Sequence, residues 1–257
     1  MGVGATGGQE RDEADERGLA THGPKGIAWP GFRGTLSHPV PEGATTGLAH
    51  ALLDLLLPRG CFRCGDEGDD PLCRVCLASV PAAPEPAARA GLARIVAGAP
   101  YAGEVEAWVQ RFKYPSARLD FDPGPKALLG ALLARATAEL PAPDRVIPIP
   151  LHPRRLRARG FNPAGRLARS LARSRGLRFD PVALVRCRDT ESQTGLSAAA
   201  RRRNVAGAFV GTGRVPRGTI WLVDDVVTTG STLEAAARAL RREGGTRVIG
   251  VAAAAAT

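Results

Sequence analysis

The stretch from Ile220 to Leu233 constrains the fold more than any other part of the chain. It reads Ile220-Trp221-Leu222-Val223, then the paired acids Asp224-Asp225, then Val226-Val227-Thr228-Thr229-Gly230-Ser231-Thr232 and the start of an amphipathic pattern at Leu233. An apolar run without polar alternation belongs to a strand covered on both faces, as in a parallel sheet between helices. A strand over Thr219–Val223 that ends in two carboxylates sets them at its C-terminal edge, where open α/β sheets bind ligands. The hydroxyls and glycine that follow feed into a helix N-terminus, whose N–H groups form a cradle for a dianionic phosphate, and Gly230 permits close backbone approach. Carboxylates touching a phosphate would repel it, so they belong about one ribose away, accepting hydrogen bonds from a sugar diol. Two other readings stay open here. Ser231 or Thr232 is a simple N-cap beside solvated aspartates, or the strand is the magnesium half of an ATPase. The ATPase needs GxxxxGK[ST], and none of Lys25, Lys113 and Lys126 is followed by Ser or Thr.

The flanking sequence repeats the strand–helix alternation. Strands are expected over Ile95–Tyr101, Arg145–Pro150, Ala208–Val210 and Arg247–Ala254, and helices over Glu104–Tyr114, Lys126 to about Leu140, Asn162–Arg175 and Leu233–Arg242, with a Pro/Gly/Asp-rich break at 115–125. This order predicts an α/β fold, an open, mostly parallel sheet flanked by helices. The 257 residues leave room for a small satellite as well. Residues 1–46 lack periodicity and read as a disordered extension; their opening GxGxxG has no strand before it. Leu48–Leu57 reads as a helix stopped by Pro58, and 79–91 as a proline-rich linker, so the expected division is 1–46, 47–80 and 92–257.

Within 47–80 stand Cys61-x2-Cys64 and Cys73-x2-Cys76, two CxxC pairs eight residues apart. Each pair turns two thiolates inward on one knuckle, and two knuckles make the S4 tetrahedron that zinc prefers. Four thiolates leave no position for a catalytic water, so the site is structural, a small ribbon folded by its metal. A redox pair or free thiols are the competing readings. The fifth cysteine, Cys187, is expected as a small buried residue.

Charge is unevenly placed. Residues 1–144 carry 14 basic and 18 acidic groups, residues 145–257 carry 21 and 7, and ten arginines with no acid lie between Arg145 and Arg178. Such a density suits polyanions, a phosphorylated ligand or nucleic acid, although a solvated helix face has the same composition. The N-terminus has no apolar signal region, and the apolar runs at 48–57 and 248–256 fall short of the ~20 residues of a membrane span. A soluble, cytoplasmic protein without membrane insertion is expected, a reducing setting that favours metal over disulfide at the cysteines.

Val223-Asp224-Asp225-Val226-Val227-Thr228-Thr229-Gly230 closely resembles the phosphoribosyl-pyrophosphate (PRPP) signature of type I phosphoribosyltransferases. Two more blocks narrow the match: Ile147-Pro148-Ile149-Pro150-Leu151-His152-Pro153-Arg154-Arg155-Leu156-Arg157-x-Arg159-Gly160-Phe161-Asn162, and Thr190-x2-Gln193-x-Gly195-Leu196-Ser197-x3-Arg201-x2-Asn204-x3-Ala208-Phe209. With the four cysteines upstream, residues 48–257 are similar to the competence protein F (ComF) family, whose members are tied to DNA uptake in natural transformation. The resemblance implies that Asp224 and Asp225 hold the ribose hydroxyls, with Mg2+ on nearby pyrophosphate and sugar oxygens. It implies that Thr228, Thr229, Gly230, Ser231 and Thr232 bind the 5′-phosphate. It also places an Arg154–Asn162 loop near the active-site edge, where Arg154, Arg155, Arg157 and Arg159 would neutralise the leaving pyrophosphate. Pro163 stands where the family pattern has glutamine, and Ala200 where an acid usually precedes the arginine.

The acceptor is not legible. Candidates for a base hood are Tyr101, Trp108, Phe112, Lys113 and Tyr114, with Trp108 and Phe112 at helical spacing reading as core; His152 reads as a loop residue rather than a general base. Two classes of function follow: a Mg2+-dependent transferase using PRPP, in DNA uptake or in nucleobase salvage, and a nucleic-acid-binding adaptor that retains the PRPP fold. Single-stranded DNA and competence proteins such as a DNA-translocating helicase are the expected partners besides PRPP.

Overall fold

The computed structural model describes residues 60–87, 89–115, 123–189, 203, 205–213, 215, 217–244 and 247–256. The expected extension over 1–46, the helix over Leu48–Leu57 and most of the Thr190–Asn204 block lie outside the described residues. The described residues fall in one compact unit. Its elements are α1 (Arg74–Ser79), β1 (Arg94–Pro100), α2 (Gly103–Lys113), α3 (Gly124–Ala136), β2 (Arg145–Pro148), α4 (Pro153–Arg159), α5 (Pro163–Ser174), β3 (Leu184–Arg186), β4 (Phe209–Gly211), β5 (Thr219–Val227), α6 (Ser231–Arg242) and β6 (Arg247–Ala255).

Four strands form one parallel sheet in the order β1-β6-β5-β2, and β3 pairs with β4 in a separate antiparallel ribbon. The α/β expectation therefore holds. Alternate residues of the central strands feed two cores. Trp221 and Val223 of β5 join Ile249 and Val251 of β6 on the face carrying α2, α3 and α5. Ile220 and Leu222 join Val248 and Ala252 on the face carrying α6, β3 and β4. With both faces covered, near-continuous apolar strands are what burial requires. Small residues let the layers close: a Cβ on Gly98 of β1 would stand 2.2 Å from the Leu132 carbonyl oxygen of α3.

Two expectations are corrected. The strand containing the acids runs on to Val227, because Val226 and Val227 pair with Ala254 and Ala255 of β6, so Asp224 and Asp225 lie within its last turn of pleat. The segment expected as an Arg154–Asn162 loop is largely helical. His152 caps it, its Nδ1 accepting from Arg154 N at 3.4 Å, Pro153 occupies the first position, and Gly160 ends it at φ 80° with its N–H donating to the Leu156 carbonyl.

The cysteine segment packs on this domain. Cys61, Leu72, Cys76 and Val80 share the core of Val96, Trp108 and Val109. Arg63 pairs with Glu104 of α2 at 2.9 Å, and Arg135 of α3 donates to the carbonyls of Leu77, Val80 and Pro81 at 2.8, 2.8 and 2.9 Å. Cys187 is exposed, contrary to expectation; it follows the short edge strand β3, and its thiol faces the Gly207 and Ala208 carbonyls. No helix among the described residues is long and apolar enough to cross a membrane.

Candidate functional site

The neighbouring strands β2 and β5 send their chains to opposite faces of the sheet. The chain leaving β2 reaches α5, whose Leu167, Ala168 and Leu171 pack on one core, whereas β5 leads directly into α6, whose Leu233, Ala236 and Leu240 pack on the other. Such a divergence opens a crevice at the carboxyl ends of the two strands. The register places the acids there: Pro148, the last residue of β2, pairs with Val223, so Asp224 and Asp225 extend past the end of β2.

Gly230 is the N-cap of α6, at φ 72° and without a side-chain cap. An N-cap role for Ser231 or Thr232 is therefore not what the chain adopts. Thr229 Oγ1 accepts from the Ser231 N–H at 3.4 Å and lies 2.8 Å from the buried Ser231 Oγ, which binds two of the hydroxyls into one turn. Thr228 is exposed and Thr229 and Thr232 are half-buried at the mouth of the crevice.

The acids are not free carboxylates in water. Asp225 is buried, and its Oδ2 lies 2.6 Å from Lys113 Nζ at the end of α2. Asp224 Oδ1 accepts from the Asp225 N–H at 2.9 Å. Burial and the adjacent Asp225 push the Asp224 carboxyl well above the usual carboxylate range, against the pull of Lys113. Burial lowers the Lys113 ammonium, but Asp225 and then Asp224 outweigh it and hold it above its ordinary value. Lys113, a candidate for the base hood by sequence, is thus the partner of the acids. Its neighbours Trp108 and Phe112 are core residues, and Phe112 meets Phe161 with ring centroids 5.9 Å apart, which fixes the end of α2 against the start of α5.

The arginines of α4 do not converge on one point. Arg154 Nη1 and Arg155 Nε stand 3.7 and 4.0 Å from the carboxylate of Asp189, which also lies 3.5 Å from His152 Nδ1. Arg157 is exposed, and Arg159 stacks over Tyr114 at 4.9 Å while donating to its hydroxyl at 3.0 Å. Two residues absent from the sequence reading join this group: Asp189, and Arg186 on β3. Arg186 is buried; burial and the Arg155 charge lower its guanidinium, whereas Asp224 and Asp189 raise it. Beyond Lys113, Arg186 is thus the cation whose charge reaches Asp224, and Arg155 stands beside it. Other arginines are spent on the fold, Arg166 over Phe161 at 3.8 Å and Arg175 donating to the Thr137 carbonyl at 2.8 Å.

The sulfur atoms of Cys61, Cys64, Cys73 and Cys76 lie within 4.8 Å of one another, and Cys64 Sγ is 3.8 Å from Cys73 Sγ. A tetrahedral zinc with Zn–S bonds near 2.3 Å needs sulfurs about 3.8 Å apart, so the residues fit that ion. Backbone N–H groups point at the sulfurs: Cys73 N at Cys61 Sγ and Cys76 N at Cys73 Sγ, each at 3.4 Å. Burial by itself raises the Cys61 thiol, but hydrogen bonds from Cys73, Cys64 and Arg63 bring it down to about 6, whereas Cys64 and, through burial, Cys76 are pushed up, so without an ion Cys61 is the thiolate of the cluster.

The phosphoribosyl transferase domain family matches residues 156–256. The chain is 44% identical over 121 residues to DNA utilization protein YhgH of Escherichia coli O6:H1, covering 47% of this chain and 53% of that protein. It is 36% identical over 140 residues to Competence protein F of Haemophilus influenzae, covering 53% and 61%. The chain spans about half the length of the curated relatives it matches. Among solved structures, glutamine PRPP amidotransferase from B. subtilis aligns with a TM-score of 0.37 and 22% identity, covering 55% of this chain and 30% of that one. The parallel sheet, the matched segment and the four clustered cysteines thus make the chain a homologue of the proteins named DNA utilization protein YhgH and Competence protein F, with a phosphoribosyl transferase domain.

Proposed function

We propose that this protein binds PRPP with Mg2+ in the β2–β5 crevice and transfers the phosphoribosyl group to an acceptor in the utilization or uptake of DNA. One observation carries the reading. A carboxylate pair near the end of β5, Asp225 buried and Asp224 half-buried, is followed after Val226 and Val227 by a hydroxyl-rich turn with Gly230 in the left-handed region at the start of a twelve-residue helix. The turn suits a phosphate monoester, and Asp224 and Asp225, set back from it along the strand, suit the ribose 2′- and 3′-hydroxyls. In the transfer, the bond from C1 to the pyrophosphate oxygen breaks and a bond from C1 to the acceptor nucleophile forms. The departing pyrophosphate keeps the electron pair. Arg155, 4.0 Å from Asp189, and Arg186, whose charge interacts with Asp224 and Asp189, would meet that growing charge, which fixed guanidinium groups stabilise more as it develops. The hard oxygens of Asp224 and Asp225 suit Mg2+, which when bound supplies charge neutralisation at the pyrophosphate.

The cysteine cluster is read as a structural zinc site, closed to water by its four sulfurs. Calorimetry with PRPP and Mg2+ tests the main reading: the intact protein binds, and Asp225→Asn, which keeps the shape and removes the charge, loses affinity at least tenfold. Equal affinities in the two proteins would refute it. Pyrophosphate release with a panel of bases then separates transfer from binding.

A second reading, a cytoplasmic adaptor for single-stranded DNA working beside a DNA-translocating helicase, is favoured by one observation: Arg154, 75% exposed despite its 3.7 Å contact with Asp189, and the exposed Arg157 present positive charge to solvent on α4. It requires affinity that falls steeply with salt. A weak, flat response between 50 and 200 mM salt would exclude it.

A further inference from the structure

The segment joining the cysteine cluster to β1 runs against the β5–α6 turn. Pro84, Glu85 and Arg89 from that segment enclose, with Thr228, Thr229 and Gly230, a cavity of about 290 Å3. A Cβ on Gly230 would lie 3.2 Å from Arg89 Cγ and 3.4 Å from Arg89 Nε, so the arginine side chain crosses directly over the left-handed residue of the turn. Its position is fixed from both sides. The Leu92 N–H donates to the Arg89 carbonyl at 3.0 Å, and the Leu92 side chain is buried. Upstream, Glu85 is held by Arg94, with Oε1 2.7 Å from Nε and Oε2 3.1 Å from Nη2.

That pairing decides the electrostatics of the cavity. Glu85 is the acid in its wall and is already engaged, and Asp224 and Asp225 do not line it. The half-buried Arg89 guanidinium makes no hydrogen bond or ion pair among the described residues. A guanidinium held over hydroxyls and backbone donors, with no carboxylate assigned to it, has its charge matched only when an anion enters.

We propose that Arg89 is a ligand of the phosphate monoester seated in the Thr228–Thr232 turn, so that the segment between the cysteine cluster and β1 is a wall of the binding site. This rests on reading the turn as the PRPP 5′-phosphate site, and adds to it a residue outside the matched domain. Gly230 then has two reasons to lack a side chain: its backbone conformation and the room Arg89 occupies.

The test is calorimetry of the full chain with ribose 5-phosphate and with PRPP plus Mg2+, comparing the unaltered protein with Arg89→Gln and Arg89→Lys, each checked for an unchanged melting temperature. Loss of a charge-assisted contact predicts an affinity for both ligands lower by about tenfold or more in Arg89→Gln, with part of it restored in Arg89→Lys. If the unaltered protein binds both ligands and Arg89→Gln binds them equally well, the role of Arg89 is overturned while the reading of the turn survives. If Arg89→Lys is as weak as Arg89→Gln despite its charge, a guanidinium fork is required rather than a cation, which also supports the proposal. Failure of the unaltered protein to bind either ligand overturns both readings together.

Discussion

Lys113 Nζ and Asp225 Oδ2 stand 2.6 Å apart, an ion pair between the last turn of α2 and the carboxyl end of β5. Both side chains are largely withdrawn from water, at 23% and 11% exposure, so the attraction is screened much less than at the surface. The pair counters the repulsion between Asp224 and Asp225, which would otherwise be set side by side in a poorly solvated crevice. It also ties α2, the element that follows β1, to the strand that carries the site.

Lys113→Met should therefore destabilise the protein by about 2 kcal/mol at neutral pH, below the roughly 3–5 kcal/mol for breaking a fully buried pair because the lysine is partly exposed. Asp225→Asn introduced into that variant should recover most of the loss. Urea denaturation of the four proteins of the cycle measures the coupling; additive losses would mean that Lys113 and Asp225 do not depend on each other.

Asp224→Asn should raise the stability of the ligand-free protein while removing sugar binding. The Asp224 carboxyl is held above its ordinary value, first by burial and then by Asp225, so the folded state favours its protonated form. Between the ordinary aspartate value of about 4 and the raised one, the folded protein binds more protons than the unfolded chain, and stability falls as pH rises. The asparagine variant lacks this slope. Melting temperatures across pH 4–8 should diverge in its favour as pH rises; parallel curves would show that Asp224 bears no such strain.

The sheet was legible because its central strands are buried on both faces and leave an unbroken apolar signal, as in Ile220–Val223, with the hydroxyl turn marking where β5 hands over to α6. What escaped depends on long-range placement. Lys113 looks like an ordinary helix-end lysine, and only the packing of Phe112 on Phe161 brings it to Asp225. Asp189 and Arg186 have no local pattern at all; the β3–β4 ribbon carries them to α4. The helix over Pro153–Arg159 was signalled by Pro153 and Gly160, a proline start and a glycine stop, but its seven residues are too few for periodicity to register.

Arg135→Ala should cost about 2–3 kcal/mol, although the side chain touches no acid. Its guanidinium donates to Leu77, Val80 and Pro81 at the end of the cysteine segment, and its Nε to Gly98 of β1 at 2.9 Å. Truncation leaves several part-buried carbonyls without donors and separates two segments at once. Hydrogen exchange should show protection lost over 77–81 and at the adjoining edge of β1; loss confined to α3 would contradict this role.

Metal removal should act on the whole domain. Cys61 and Cys76 are buried in the same core as Val96 and Trp108, with Arg63 and Arg135 binding the segment to α2, β1 and α3. Without an ion, four thiols must coexist where sulfurs lie within 4.8 Å, and the burial that suits a metal thiolate cluster becomes unfavourable. Chelation, or Cys61→Ser with its lowered zinc content, should thus reduce the melting temperature of a single cooperative transition rather than produce a separate early one. A zinc stoichiometry near one per chain by elemental analysis, lost in Cys61→Ser, identifies the ion. Two resolved transitions after chelation would show instead that the cysteine segment folds independently of the sheet it packs against.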